Sequence, residues 1–261
     1  MKGWGRTTER SGKAGRGGCS LSVSLLLALW LAFAPTAARA GEPAGDVQDR
    51  TGVETTVPEQ AEAAVTPEKA PDKAGAKPIR LFGTVEFRGP LKGLPSWLSA
   101  MERNKRHPVF EPGSKLNAST TWDEFKAKAE ALPPMDQLKM VNRFWNQWPY
   151  RLDPELYGKP DYWAAPYEFR KKSGDCEDYS IAKYYTLRAL GWPADKMRIV
   201  VLMETVRNVA HAVLVVYLDG DAYVLDNLSN NVLSHTRYKS YAPQFSVNED
   251  YRWAHIKPKK P

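Results

Sequence analysis

Cysteine is scarce in this 261-residue chain, which has only Cys19 and Cys176. If the first forty residues are removed, Cys176 stands alone and no internal disulfide can form. Long apolar runs are also missing. The run at Leu21–Ala34 has 14 residues, short of the roughly 20 a membrane-crossing helix needs. Preceded by Lys2, Arg6, Arg10, Lys13 and Arg16 and followed by Ala38-Arg39-Ala40, it reads as a secretory signal peptide cleaved after Ala40. Cys19 precedes the run, so it is not a lipoprotein cysteine and leaves with the peptide. A strong charge of one sign is absent once this leader is set aside. Six Lys/Arg against one Glu lie in residues 1–40, leaving about +2 of the chain's +7. The basic balance is therefore a targeting effect. Aromatic and basic residues do not interleave as a nucleic-acid surface requires, so no nucleic-acid partner is expected. Aromatics are missing altogether from residues 41–78, which carry five prolines. That segment cannot bury enough apolar surface to order itself and reads as a disordered Ala/Pro/Glu-rich linker.

From residue 79 to 261 the composition changes, and seven of the nine tryptophans lie there. The length suits one domain. Its first half reads helical. Ser96 is expected to cap a helix to about Arg106. Thr121-x-x-Glu124 is a capping box opening a helix to about Leu132. Leu138, Val141, Phe144, Trp145 and Trp148 line one face of a helix over 135–148. A Tyr-, Pro- and Asp-rich loop follows, then a short helix at 167–172. In the second half Asp175 can cap a helix over 176–190, which Gly191 stops. Arg198–Glu204 is β-rich, and HAVLVVYL, Asp219-Gly220 and DAYVLDNL read as a hairpin. Helices followed by an antiparallel sheet predict an α+β fold with the Cys176 helix packed on the sheet.

The stretch Gly174-Asp175-Cys176-Glu177-Asp178-Tyr179 places the one remaining thiol among three carboxylates, which should raise its pKa. Helix-start N–H groups and the macrodipole act in the opposite sense and favour a thiolate. A base is still needed, and His107, His211, His235 and His255 are the candidates. The hairpin register discriminates. With a two-residue turn at Asp219-Gly220, Asp226 is the diagonal neighbour of His211 on the same face, within reach of its imidazole. A three-residue loop would turn Asp226 away and leave Asn227 as the orienting residue. Cys176, His211 and Asp226 thus form a candidate nucleophile, base and orienter. Asn142 or Asn146 is a candidate second oxyanion donor beside the Cys176 N–H. Trp163 is read as core, with a substrate-lining role as the alternative.

The GDCEDY element, His211-Ala-Val-Leu and Tyr223-Val-Leu-Asp226-Asn227 resemble the bacterial transglutaminase-like cysteine peptidases, best known from LapG-type periplasmic proteases. Asn142-x-x-Trp-Asn146 and Asp161-Tyr-Trp163-x-x-Pro166 fit more loosely. The resemblance implies a papain/transglutaminase-like core with Cys176, His211 and Asp226 as the triad. It also implies calcium beside the cysteine, making Asp175, Glu177 and Asp178 candidate ligands. Hard oxygen ligands suit Ca²⁺, and a dication would neutralise the acids that disfavour the thiolate. Acids in a first helical turn are also favoured by the dipole without any metal. The resemblance further implies a periplasmic endopeptidase, a large surface adhesin as protein substrate, a part in biofilm control, and an inner-membrane receptor that sequesters the enzyme. Two other expectations stand beside it. One is a transglutaminase-type acyl transferase using the same triad. The other is a non-catalytic calcium-dependent binding module, which a register turning Asp226 from His211 would favour.

Overall fold

The computed structural model describes residues 79–258; the signal-peptide and linker readings lie outside them. Among these residues are six α-helices and seven strands, the helices largely first as expected, although the first strand precedes them all. The helices are α1 (Pro95–Arg106), α2 (Trp122–Glu130), α3 (Pro134–Trp145), α4 (Asp153–Tyr157), α5 (Pro166–Lys172) and α6 (Cys176–Ala189). The strands are β1 (Val85–Gly89), β2 (Met197–Glu204), β3 (Val209–Leu218), β4 (Asp221–Leu225), β5 (Leu233–Ser234), β6 (Tyr241–Val247) and β7 (Arg252–Ile256). All join one sheet in the order β1-β7-β6-β2-β3-β4-β5, and every pairing is antiparallel. The fold is α+β, consistent with a transglutaminase-like protease.

Helix starts follow local chemistry. At α2 the Thr121 hydroxyl accepts from the Glu124 N–H, and the Glu124 carboxylate accepts from the Thr121 N–H. Helix α1 differs from expectation: it opens at Pro95, and Leu94 is its cap residue. Proline suits a first helical position because its fixed φ is helical and it has no N–H to lose. Ser96 instead donates its hydroxyl to Asp161 Oδ2 at 3.2 Å. The Asp-rich loop contains the short helix α4, which the periodicity did not reveal.

Helix α6 is buried on all sides from Cys176 to Leu187, as a helix between two layers must be. It packs on β3 and β2 and against α3 and α5. Ala212, Leu214 and Val216 of β3 share its core, together with Trp97, Phe125, Trp145 and Phe169. The other face of the sheet holds a second core of Leu81, Val200, Leu202, Val213, Val215, Ala222 and Val224. Trp163 is buried against Trp97, with ring centroids 6.2 Å apart, so its core reading holds.

The β3–β4 hairpin sets the register on which the site depends. Leu218 faces Asp221 and Leu214 faces Leu225, the pairing of a two-residue turn. Asp219 and Gly220 both have positive φ, 49° and 80°, which matches the type I′ turn that right-twisted strands favour.

Candidate active site

Cys176 is the first residue of α6 and is fully buried. Its Sγ lies 3.3 Å from Glu177 Oε2, a thiol donating to a carboxylate. A thiolate in that position would meet the carboxylate's charge, so ionising the sulfur calls for something that neutralises Glu177 or draws it aside. The chain enters the helix through Ser173, whose φ of 69° is a costly conformation for a residue with a side chain. Gly174 follows, its carbonyl accepting from the Arg151 N–H at 2.9 Å.

Asp178 ties this entry together. It is fully buried, and its two oxygens accept from the Ala164 N–H (2.6 Å) and the Asp175 N–H (3.2 Å). Burial pushes its carboxyl well above the usual range, and the charges of Asp175 and Asp153 add to the shift. Two further acids, not among the candidate ligands read from the sequence, lie around this entry. Oxygens of Asp153, Asp175 and Asp178 lie within 4.8 Å of one another, as do those of Asp153, Asp161 and Glu177. Asp153 opens α4, and Asp161 lies in the loop after it. Their signal was the Asp- and Tyr-rich composition of that loop, which spacing alone could not connect to Cys176. Five hard oxygen donors, four of them buried, suit Ca²⁺ far better than a softer ion. Like charges this close cannot all ionise without a cation or protons.

His211 and Asp226 are joined directly: His211 Nε2 and Asp226 Oδ1 are 3.0 Å apart, and both residues are buried. Asp226 Oδ1 also accepts from the Leu228 N–H (2.9 Å), and Oδ2 accepts from the Tyr241 hydroxyl (2.5 Å). Burial works to raise the Asp226 pKa, but the hydrogen bond and charge of His211, with the bonds from Leu228 and Tyr241, outweigh it and bring it down to about 2. Asp226 is therefore ionised at neutral pH. An ionised carboxylate can only accept, so the proton on the neutral imidazole sits at Nε2 and Nδ1 carries the lone pair. Asn227 is not needed as orienter. Lys183, on α6 and wholly buried, lies close enough to feel the Asp226 charge, although desolvation lowers its pKa to about 7.

Asn142 of α3 and Asn146, the residue that follows this helix, both reach the loop after β4. Asn146 Nδ2 donates to the Asp226 carbonyl (2.9 Å), the Ser229 carbonyl (3.0 Å) and Asn230 Oδ1 (3.1 Å). Asn142 Nδ2 donates to the Ser229 carbonyl at 2.8 Å. Both amides thus bind the loop after β4, and Asn146 holds the Asp226 backbone directly. The remaining histidines are engaged elsewhere. His255 sits between Thr84 and Ser246 hydroxyls, with burial lowering its pKa to about 3. His235 Nδ1 takes the Phe82 N–H, and the His107 ring lies tilted against Tyr167.

The family model described as bacterial transglutaminase-like cysteine proteinase BTLCP matches residues 117–261. A solved structure of Legionella pneumophila LapG is 35% identical over 51% of this chain and 75% of that chain, with a TM-score of 0.47. A calcium-bound form of Legionella pneumophila LapG is 34% identical over 54% of this chain and 78% of that one, again with a TM-score of 0.47. Among curated proteins, none matches.

Proposed function

Because the chain belongs to the bacterial transglutaminase-like cysteine proteinases, and is thus a cysteine peptidase with a protein substrate, we propose that Cys176, His211 and Asp226 are its catalytic triad. The observation that carries this is the buried 3.0 Å contact between His211 and an ionised Asp226, which the register of the β3–β4 hairpin makes possible. In the proposed reaction the Cys176 proton passes to His211 Nδ1, and Sγ attacks the scissile carbonyl carbon. The Cys176 N–H, at the N–H-rich end of α6, faces the developing oxyanion. The protonated Nδ1 then gives its proton to the leaving amine as the C–N bond breaks, leaving a thioester. Water, losing its proton to Nδ1, attacks that thioester. The sulfur leaves and regains the proton.

Calcium dependence is part of the proposal. Asp175 and Glu177 would hold the ion together with Asp153 and Asp161, while Asp178, both oxygens already accepting N–H groups, would contribute least. Bound Ca²⁺ supplies positive charge that offsets the acids flanking the sulfur. The setting proposed is the periplasm, reached through the signal peptide. The substrate would be a surface adhesin whose cleavage governs attachment and biofilm, and an inner-membrane receptor would restrain the enzyme. The register that would have favoured a non-catalytic binding module is not the one adopted.

The test is incubation of the purified chain with the N-terminal region of an adhesin secreted by the same cell, with calcium or chelator, beside Cys176→Ala. Two peptide fragments, formed only by wild type with calcium, support the proposal. Lysine crosslinks to a glutamine donor without new termini would favour the acyl transferase instead.

A further inference from the structure

Strand β6 does not run evenly beside β2. Val201 pairs with Phe245, but the next residue, Leu202, pairs with Pro243, so Gln244 is an extra residue on β6. Such a bulge reverses the strand's alternation from that point and re-aims the side chains beyond it. It also accommodates Pro243, which lacks the N–H an inner strand would need. Phe245 and Val247 face the core shared with α6. Without the bulge, Tyr241 would follow them. With it, Tyr241 packs on the opposite core, which is the face where His211 continues the series of Val213 and Val215.

Tyr241 there meets both members of the His211–Asp226 pair. Its hydroxyl donates to Asp226 Oδ2 at 2.5 Å, and its ring stands edge-on to the imidazole, centroids 5.9 Å apart at 73°. Tyr238 lies behind it at 4.9 Å and Phe82 beside it at 6.0 Å, so the ring is braced. The two carboxylate oxygens are thereby divided: Oδ1 serves His211, and Oδ2 is held by the phenol.

Resting on the catalytic reading of that pair, we propose that Tyr241 is a positioning residue which fixes the Asp226 carboxylate and, by drawing on its charge, sets the basicity of His211. Burial, then the charge of Asp226, pushes the Tyr241 pKa far up, so the phenol remains a donor throughout the working range. Removing the hydroxyl makes Asp226 a stronger acceptor for the imidazolium, which then gives up its proton at higher pH. It also frees the carboxylate to rotate.

The experiment is the rate of Cys176 alkylation by iodoacetamide against pH, on the full chain with calcium. Tyr241→Phe is predicted to move the upper limb, where His211 deprotonates, upward by about half a pH unit, with a several-fold lower rate at neutral pH. Should Tyr241→Phe not fold, 3-fluorotyrosine at position 241 keeps the shape and strengthens the donor, so the limb must move downward. An unmoved limb in these variants, whatever the melting temperature, overturns the proposal. Asp226→Asn separates the two levels of the argument. If it too leaves the limb at its wild-type position, the pair is not catalytic, and the inference falls with that reading.

Discussion

Gly174 lies against the carboxylate of Asp178, so closely that a Cβ on residue 174 would overlap it. The glycine is required by this approach, because its φ is not in the left-handed region. Through it the helix entry can fold onto Asp178, which holds the backbone of Ala164 and Asp175. Gly174→Ala should therefore displace Asp178 and break both bonds, at a cost of about 2–3 kcal/mol. Urea unfolding measures this, and wild-type stability for the variant would contradict the account.

The acid cluster predicts that calcium stabilises the folded chain. At a hundredfold excess over the dissociation constant the gain is about 2.7 kcal/mol. Asp175→Asn and Glu177→Gln should each weaken calcium binding measured by calorimetry. A wild-type melting temperature that ignores both calcium and chelator would show that the cluster holds no such ion.

Lys183 predicts a slope of stability with pH. Its folded pKa, about 7, lies below the ordinary 10.5, chiefly from desolvation and despite the pull of Asp226. Between those values the unfolded chain binds a proton that the folded chain does not, so this group's contribution to stability rises with pH across the window. Below pH 7 both states are charged and the full burial penalty applies. Lys183→Met should remove that slope and raise stability at pH 7 by about 1–4 kcal/mol. Chemical denaturation at pH 6.5 and 9.5 decides it: an unchanged difference between the two pH values would refute the reading.

Asp226 acts in the opposite range. Its folded pKa of about 2 lies below the ordinary 3.8, so it contributes stability that is complete above pH 4 and lost as pH falls toward 2. Asp226→Asn should be less stable than wild type at pH 6, with the difference shrinking on acidification. A difference independent of pH would mean that the His211–Asp226 contact carries no charge.

Asn146→Ala should loosen the loop after β4 without touching the reacting atoms. Losing the amide that holds the Asp226 and Ser229 carbonyls costs about 1–3 kcal/mol. The loss should appear as faster hydrogen exchange over 226–230, and protection equal to wild type there would contradict the anchoring role.

Much of this site was legible because its pieces are local. The Asp219-Gly220 turn fixed the register, and the register put Asp226 diagonal to His211. Thr121 and Glu124 announced α2 in the same way. What stayed hidden depended on distant partners. Edge strand β1 is too short and exposed to show a clear period. Strand β6 is interrupted by Pro243 and its bulge, and β7 is only five residues long. Asp153 and Asp161 bring their carboxylates to the acids at the start of the Cys176 helix from an earlier segment, and no spacing encodes that approach. Ser96 misled because its hydroxyl had a better partner in Asp161 than in its own helix.

The most direct test of the central claim is the alkylation rate of Cys176 at pH 7 in wild type and His211→Ala, each with calcium and with chelator. The account predicts rapid labelling of wild type with calcium, and slow labelling after chelation or loss of His211. A slow rate common to all four conditions, that of an ordinary thiol, would contradict a calcium-supported Cys176–His211 pair.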